Sequence, residues 1–189
     1  MDILKRMNKI ILIITLIFSS NILLSQSILE IVTQNENFIV SAEKIKIGNY
    51  VNRVYFDDIS GIIDENTFKE FKDEIISNEF KFEKKWSISD FKSKVYLLSE
   101  NQKIDIDSIK YIIKKRNLNT SFLKQVKKFN RGDVFYKNFP LSLSDIIYNK
   151  LNNKALIVLI RGNNGGEIKY FELINRKWTF ISNINNWAY

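Results

Sequence analysis

The sequence predicts an α+β protein: a small, mostly antiparallel sheet with a C-terminal three-strand meander and amphipathic helices packed on one side. Three observations carry that expectation. The last third of the chain alternates apolar runs with turn residues in the manner of a meander. Two upstream stretches repeat apolar residues at helical spacing. The 189 residues are 45% hydrophobic, with one Pro and six Gly, which is enough apolar material for one packed domain and leaves no Pro- or Gly-rich linker to divide it.

The elements follow in chain order. Lys5, Arg6 and Lys9 precede an uncharged apolar run, Ile10 to Phe18, then Ser19, Ser20 and Asn21, then Ile22 to Leu24 and Ser25. A basic start, an apolar run of 7–15 residues and a small residue at its end are the parts of a secretory signal peptide. Cleavage is expected after Ser25, giving 1–25 as signal peptide and 26–189 as a single α+β domain in the periplasm or outside the cell. A start at Met7 would tighten the basic region. The alternative is an N-terminal membrane anchor, but a spanning helix needs about 20 apolar residues. Ile10 to Leu24 is shorter and interrupted. Cleavage removes three bases and one acid, lowering the net charge from +8 to +6.

Beyond the signal, residues 27–45 fit either a helix on Ile28, Ile31 and Val32 or a strand on Phe38 to Val40. Tyr50 to Phe56 is β-branched and aromatic and predicts a strand ended by Asp57 and Asp58. Asp64 is placed to cap a helix that turns Phe68, Phe71, Ile75 and Ile76 to one side. Val95 to Leu98 predicts a short buried strand. Asp107 or Ser108 can cap a helix on Ile109, Ile112 and Ile113, broken at Asn117 to Thr120 and followed by a second helix on Phe122, Leu123, Val126 and Phe129. Phe139-Pro140-Leu141 is expected to be extended, because the residue before a proline avoids the α region. Ala155 to Ile160, Ile168 to Ile174 and Trp178 to Ile184 predict the meander, joined by turns at Gly162 to Gly166 and Asn175 to Lys177.

This tail, with Pro140-Leu141, Ser144-Asp145, Gly165-Gly166, Tyr170, Lys177-Trp178 and Trp187, resembles small uncharacterised exported proteins of Bacteroidota-type bacteria. The Ser25-Gln26 break is similar to the export signals of that group. The resemblance covers about the last 50 residues and the signal. It implies an exported location and no particular activity.

Composition excludes much chemistry. The chain has no His and no Cys. That removes Ser-His-Asp and Cys-His nucleophiles, HExxH zinc sites, thiolate metal sites, disulfides and lipid-modified cysteine. No cofactor and no metal site is expected. Ser-x-x-Lys, the nucleophile motif of penicillin-recognising enzymes, occurs at Ser41-Lys44, Ser89-Lys92 and Ser121-Lys124. With 16 Ser and 23 Lys, about two such spacings arise by chance. Asp57/Asp58 and Asp105/Asp107 are the candidate acid pairs of a glycan hydrolase. Adjacent strand residues point to opposite faces, and turn formation or helix capping explains all four. Asp105-Ile106-Asp107 begins like a calcium loop but lacks the later ligands. Arg131-Gly132-Asp133 and Asn119-Thr120-Ser121 match an integrin tripeptide and a glycosylation acceptor on very few residues. Trp178, Phe180, Tyr170 and Phe171 could make a sugar platform, yet strand alternation divides them between faces.

One feature stands above this background. Lys110, Lys114, Lys115, Arg116, Lys124, Lys127, Lys128 and Arg131 fall in 22 residues that contain no acid. Such a face can bind anions, and outside the cytoplasm lipid head groups and acidic glycans are closer to hand than nucleic acid. A solvated helix face in a lysine-rich chain is the plainer explanation. The expected role is a non-catalytic binding module of the cell envelope. The alternatives are a carboxylate-dependent glycan hydrolase and an immunity- or inhibitor-type protein with a protein partner.

Overall fold

In the computed structural model the described residues are 28–35, 37–78, 83–132 and 139–188. The expected signal peptide lies outside them, as does Asp133 of the Arg-Gly-Asp tripeptide. Among the described residues, seven strands form one mixed sheet of order β2-β1-β3-β5-β6-β7, with β4 also paired to β5. The strands are β1 (Ile39–Ser41), β2 (Tyr96–Leu98), β3 (Leu141–Leu143), β4 (Ile147–Tyr148), β5 (Lys154–Arg161), β6 (Gly166–Ile174) and β7 (Lys177–Trp187). β1 runs parallel to β2 and β3, and every other pairing is antiparallel. The expected α+β class and C-terminal meander are both present.

The register assigns each side chain to a face. Val40, Leu141, Leu143, Ala155, Ile157, Leu159 and Phe171 share one face, in a core closed by the short helix α1 (28–32) and by Trp86, Phe91 and Val95. Leu156, Val158, Ile168 and Tyr170 point the other way, against the helix α2 (Glu65–Asn78) through Phe68, Phe71 and Ile75. Ile39 and Leu98 point to that second side too. They meet Ile109, Ile112 and Ile113 of α3 (Ile106–Arg116) and Phe122 and Val126 of α4 (Phe122–Asn130). Helices α2, α3 and α4 therefore share one side of the sheet.

Local chemistry sets the helix ends. Asp64 caps α2 as expected, accepting from the Thr67 N–H at 2.9 Å and the Thr67 hydroxyl at 2.7 Å. The cap of α3 is Asp105, not Asp107 or Ser108: its carboxylate accepts from both of their N–H groups. The carboxylate must lie outside the helix to reach the second and third N–H groups, and Asp105 is the residue at that distance. Asn117 ends α3 in the left-handed conformation, φ 53°.

One element departs from expectation. Tyr50 to Phe56 is no strand: Gly48–Val51 forms a helical turn, and Phe56–Asp58 a 3-10 turn. Its β-branched residues are there to pack. Val51 and Val54 are buried beside α2, and Tyr50 stacks on Trp187 at 5.1 Å. Strand preference measures fit to a half-buried pleat, and a segment lying across a helix overrides it.

β7 is an edge strand with two irregularities. Its pairing with β6 steps past Ile184 and again past Ile181. Bulges of this kind twist an edge away from further strand pairing. The β5–β6 turn depends on Gly165, at φ +103°, where an added Cβ would lie 2.0 Å from the Trp187 carbonyl oxygen. Gly165→Ala is expected to cost more than about 1 kcal/mol of stability, read as a lowered urea midpoint at unchanged m-value. An unshifted midpoint would show that the turn tolerates a side chain.

Candidate functional site

The eight bases of the expected anion-binding face occupy α3, α4 and the residue that ends α4. Lys110, Lys114 and Lys115 are exposed along α3, and Lys124, Lys127, Lys128 and Arg131 are exposed on α4 and at its end. The two helices pack together through Ile109, Ile112, Ile113, Phe122 and Val126, which fixes their exposed sides as parts of one surface. Two residues are committed elsewhere. Arg116 turns inward: its Nη1 donates to the Thr33 carbonyl at 2.6 Å, and its guanidinium lies 5.6 Å from the Phe38 ring centre. Burial pushes its pKa down, and the charge of Glu30 partly offsets that. Arg116 joins α3 to the end of helical residues 28–32. Lys110 is paired at 2.8 Å with Asp107. Among the described residues, Lys114, Lys124, Lys127 and Lys128 have no acid within ion-pair distance, while Lys115 lies 5.8 Å from the Tyr111 ring. Lys114, Lys115, Lys127 and Lys128 lie in the last turns of their helices, where the helix dipole favours cations by a few tenths of a kcal/mol. That explains their presence without a ligand, but not the absence of acids beside them.

The candidate acid pairs do not converge on a cleft. Asp57 and Asp58 lie on the exposed 3-10 turn. Asp105 is occupied by capping, its pKa lowered first by the Ser108 hydroxyl and then by the Ser108 and Asp107 N–H groups. Other acids are similarly engaged. Asp90 completes a capping box with Ser87, and Glu43 pairs with Lys85 at 3.7 Å. Among the described residues, no group of three or more acids is placed to hold a metal ion.

The Ser-x-x-Lys spacings also resolve into structural roles. Lys44 Nζ lies 2.7 Å from Asp145 Oδ1 and 4.2 Å from the Trp86 ring centre, with its side chain 6% exposed. It tethers the segment before Trp86 to the strand end at Asp145 instead of activating Ser41. Ser87 and Ser89 bond each other, and Ser121 precedes α4 with no capping bond. Of the aromatic set, Tyr170 and Phe171 are buried on opposite faces, Trp178 is buried, and Phe180 alone is exposed, with Lys169 Nζ 4.3 Å from its ring centre. No sugar platform forms from them.

A cleft of about 410 Å³ opens where β1 and β2 end. Ser41, Glu43, Ser99, Glu100, Asn101 and Gln102 supply its polar groups. Residues 99–102 form a tight turn, closed by the Gln102 N–H on the Ser99 carbonyl, with Asn101 at φ 62°. Periodicity did not single these residues out. The one local signal was the polar run Ser99 to Gln102 between an apolar strand and a helix cap.

Comparison with protein-family models, curated proteins and solved structures gives no match.

Besides the capping Asp105, three groups set the pH response. The Thr67 backbone N–H, then Lys154, hold the Asp64 carboxyl far below its ordinary value of 3.8. Burial alone would raise the pKa of Glu167, but Arg161, 2.6 Å away, and Lys169 outweigh it and leave it lowered. Burial, then the hydrogen bond to Glu172, pushes the Tyr170 phenol above its ordinary value of 10.0. A lowered carboxyl pKa stabilises above its unfolded value and is lost as pH falls. A raised phenol pKa stabilises below its unfolded value and is lost as pH rises. With no His or Cys, the melting temperature is expected to be flat between about pH 5 and pH 9, to fall below about pH 4.5, and to fall again above about pH 10. A step near pH 6–7 would contradict this assignment.

Proposed function

We propose that the protein is an exported, non-catalytic binding module of the cell envelope, and that its exposed α3–α4 surface engages an anionic partner: a lipid head group or an acidic glycan. The observation that carries this is the imbalance of charge. Asp64 and Asp105 cap helices and Asp145 and Glu167 pair with bases, whereas among the described residues Lys114, Lys124, Lys127 and Lys128 project from two packed helices with no acid within ion-pair distance. Such a surface raises the local concentration of anions without demanding a particular ligand geometry, since lysine is a flexible point charge and not a fork. Nucleic acid is the less suitable anion for a protein outside the cytoplasm.

Export rests on the N-terminal pattern of bases, apolar run and small residue. A cut after Ser25 would leave the whole described core, which includes buried Ile28 and Leu29, in the mature chain. Among the described residues no helix is long and apolar enough to cross a membrane. The expected outcome is that protein recovered from the cell envelope begins at Gln26, read by intact mass. An unprocessed chain recovered from the cell interior would refute export.

The surface is tested by charge reversal. Lys114, Lys115, Lys127 and Lys128 changed together to Glu should leave the melting temperature close to that of the parent. Sedimentation with phosphatidylglycerol vesicles, or retention on a polyuronate, should weaken by roughly a thousandfold at low salt, at about 1 kcal/mol per base near an anionic surface. Unchanged binding to both would exclude this surface.

A further inference from the structure

The cleft at the ends of β1 and β2 shares no residue with the lysine surface, and its chemistry is opposite. In sheets with parallel strands, ligands collect outside the carboxyl ends of the strands, where the connecting segments converge. β1 and β2 are such a parallel pair, and the cleft lies beyond Ser41 and Leu98 at those ends. Its volume of about 410 Å³ falls within the range of small-molecule sites.

The lining has two sides. One is polar: the carboxylates of Glu43 and Glu100, the hydroxyls of Ser41 and Ser99, and the amides of Asn101 and Gln102. These groups offer many acceptors and several neutral donors. The other is apolar, made by Leu98, by Phe129 from α4 and by Pro140 before β3. Among the described residues no Lys or Arg lines the cleft, although the chain carries a net charge of +8. Glu43 is paired with Lys85 at 3.7 Å outside the lining, and an anion would face that pair and the Glu100 carboxylate with no base among the described lining residues. A ligand suited to this lining presents several hydroxyls on its edges and a C–H surface on one side.

We infer that this cleft binds a neutral sugar ring, with the hydroxyls met by Glu100, Gln102 and the two serines and the C–H face laid on Phe129 and Pro140. The site is separate from the lysine surface. The two share only α4, which supplies Phe129 to the cleft and Lys124, Lys127 and Lys128 to the outside.

The test is a titration of the ¹⁵N-labelled full chain with N-acetylglucosamine and with maltose, followed through amide shifts, with putrescine as a cationic comparison. Shifts are expected to gather at residues 41–43 and 98–102, with a dissociation constant on the order of 1 mM for a single small ligand. Glu100 and Gln102 are exposed, so Glu100→Ala with Gln102→Ala should keep the parent melting temperature while weakening sugar binding by at least about tenfold. The Lys114, Lys115, Lys127 and Lys128 to Glu variant should bind sugar as the parent does, which separates this site from the lysine surface. Absence of localised shifts with both sugars overturns the inference. So does binding that the Glu100/Gln102 variant leaves unchanged. A response to putrescine without one to the sugars would also overturn it, and would assign the cleft to an amine.

Discussion

Burial of β5 on both faces is the constraint on which the rest of the molecule depends. Ala155, Leu156, Ile157, Val158 and Leu159 are all fully buried and alternate between two cores. Each large aliphatic side chain so buried contributes on the order of 1.5–3 kcal/mol, and a strand made only of such residues has no side it can leave in water. Both faces must therefore be covered. Helix α2 meets Leu156 and Val158, while helical residues 28–32 and the Trp86–Phe91 segment meet Ala155, Ile157 and Leu159. The strands β3 and β4 form a broken partner along one side of β5. Where they break, the fully buried Ser144 hydroxyl accepts the Val158 N–H at 2.9 Å, so the interruption leaves no orphan donor.

Once both faces are covered, polar groups are left with few places to go, and the molecule separates its charges. Acids are drawn to where a backbone or a base needs them: Asp64 and Asp105 at helix starts, Asp145 on Lys44, Glu167 between Arg161 and Lys169. Bases outnumber acids by eight. Part of that excess stands on α3 and α4, whose inward sides are filled by Ile109, Ile112, Ile113, Phe122 and Val126. The lining of the cleft beyond β1 and β2 differs: among the described residues it has carboxylates and amides and no base, with Lys85 pairing Glu43 from outside it. One helix, α4, thus contributes exposed lysines to one surface and Phe129 to the cleft.

The strongest patterns were legible in the chain because they are local. Ala155 to Ile160 can hardly be anything but a buried strand, and Gly162 to Gly166 can hardly be anything but a turn. Asp64 three residues before Thr67 announces a cap. Tyr50 to Phe56 misled because β-branched and aromatic residues serve equally well in a pleat or against a helix, and only the position of α2 chooses between them. The inward turn of Arg116 was hidden for a similar reason. Its partner, the Thr33 carbonyl, is 83 positions away, and within its own helix Arg116 belongs to the same basic run as Lys114 and Lys115.

The sequence by itself determined the class, the meander, the three long helices and the exclusion of His- and Cys-based chemistry, because periodicity and composition act over a few residues at a time. Tertiary structure alone decided which bases face solvent, that Lys44 and Asp145 meet across 101 positions, and that Ser41, Glu100 and Gln102 border one cleft. Those outcomes depend on which strands lie side by side. Strand order is settled by how two buried faces are covered together, which no short window of sequence contains.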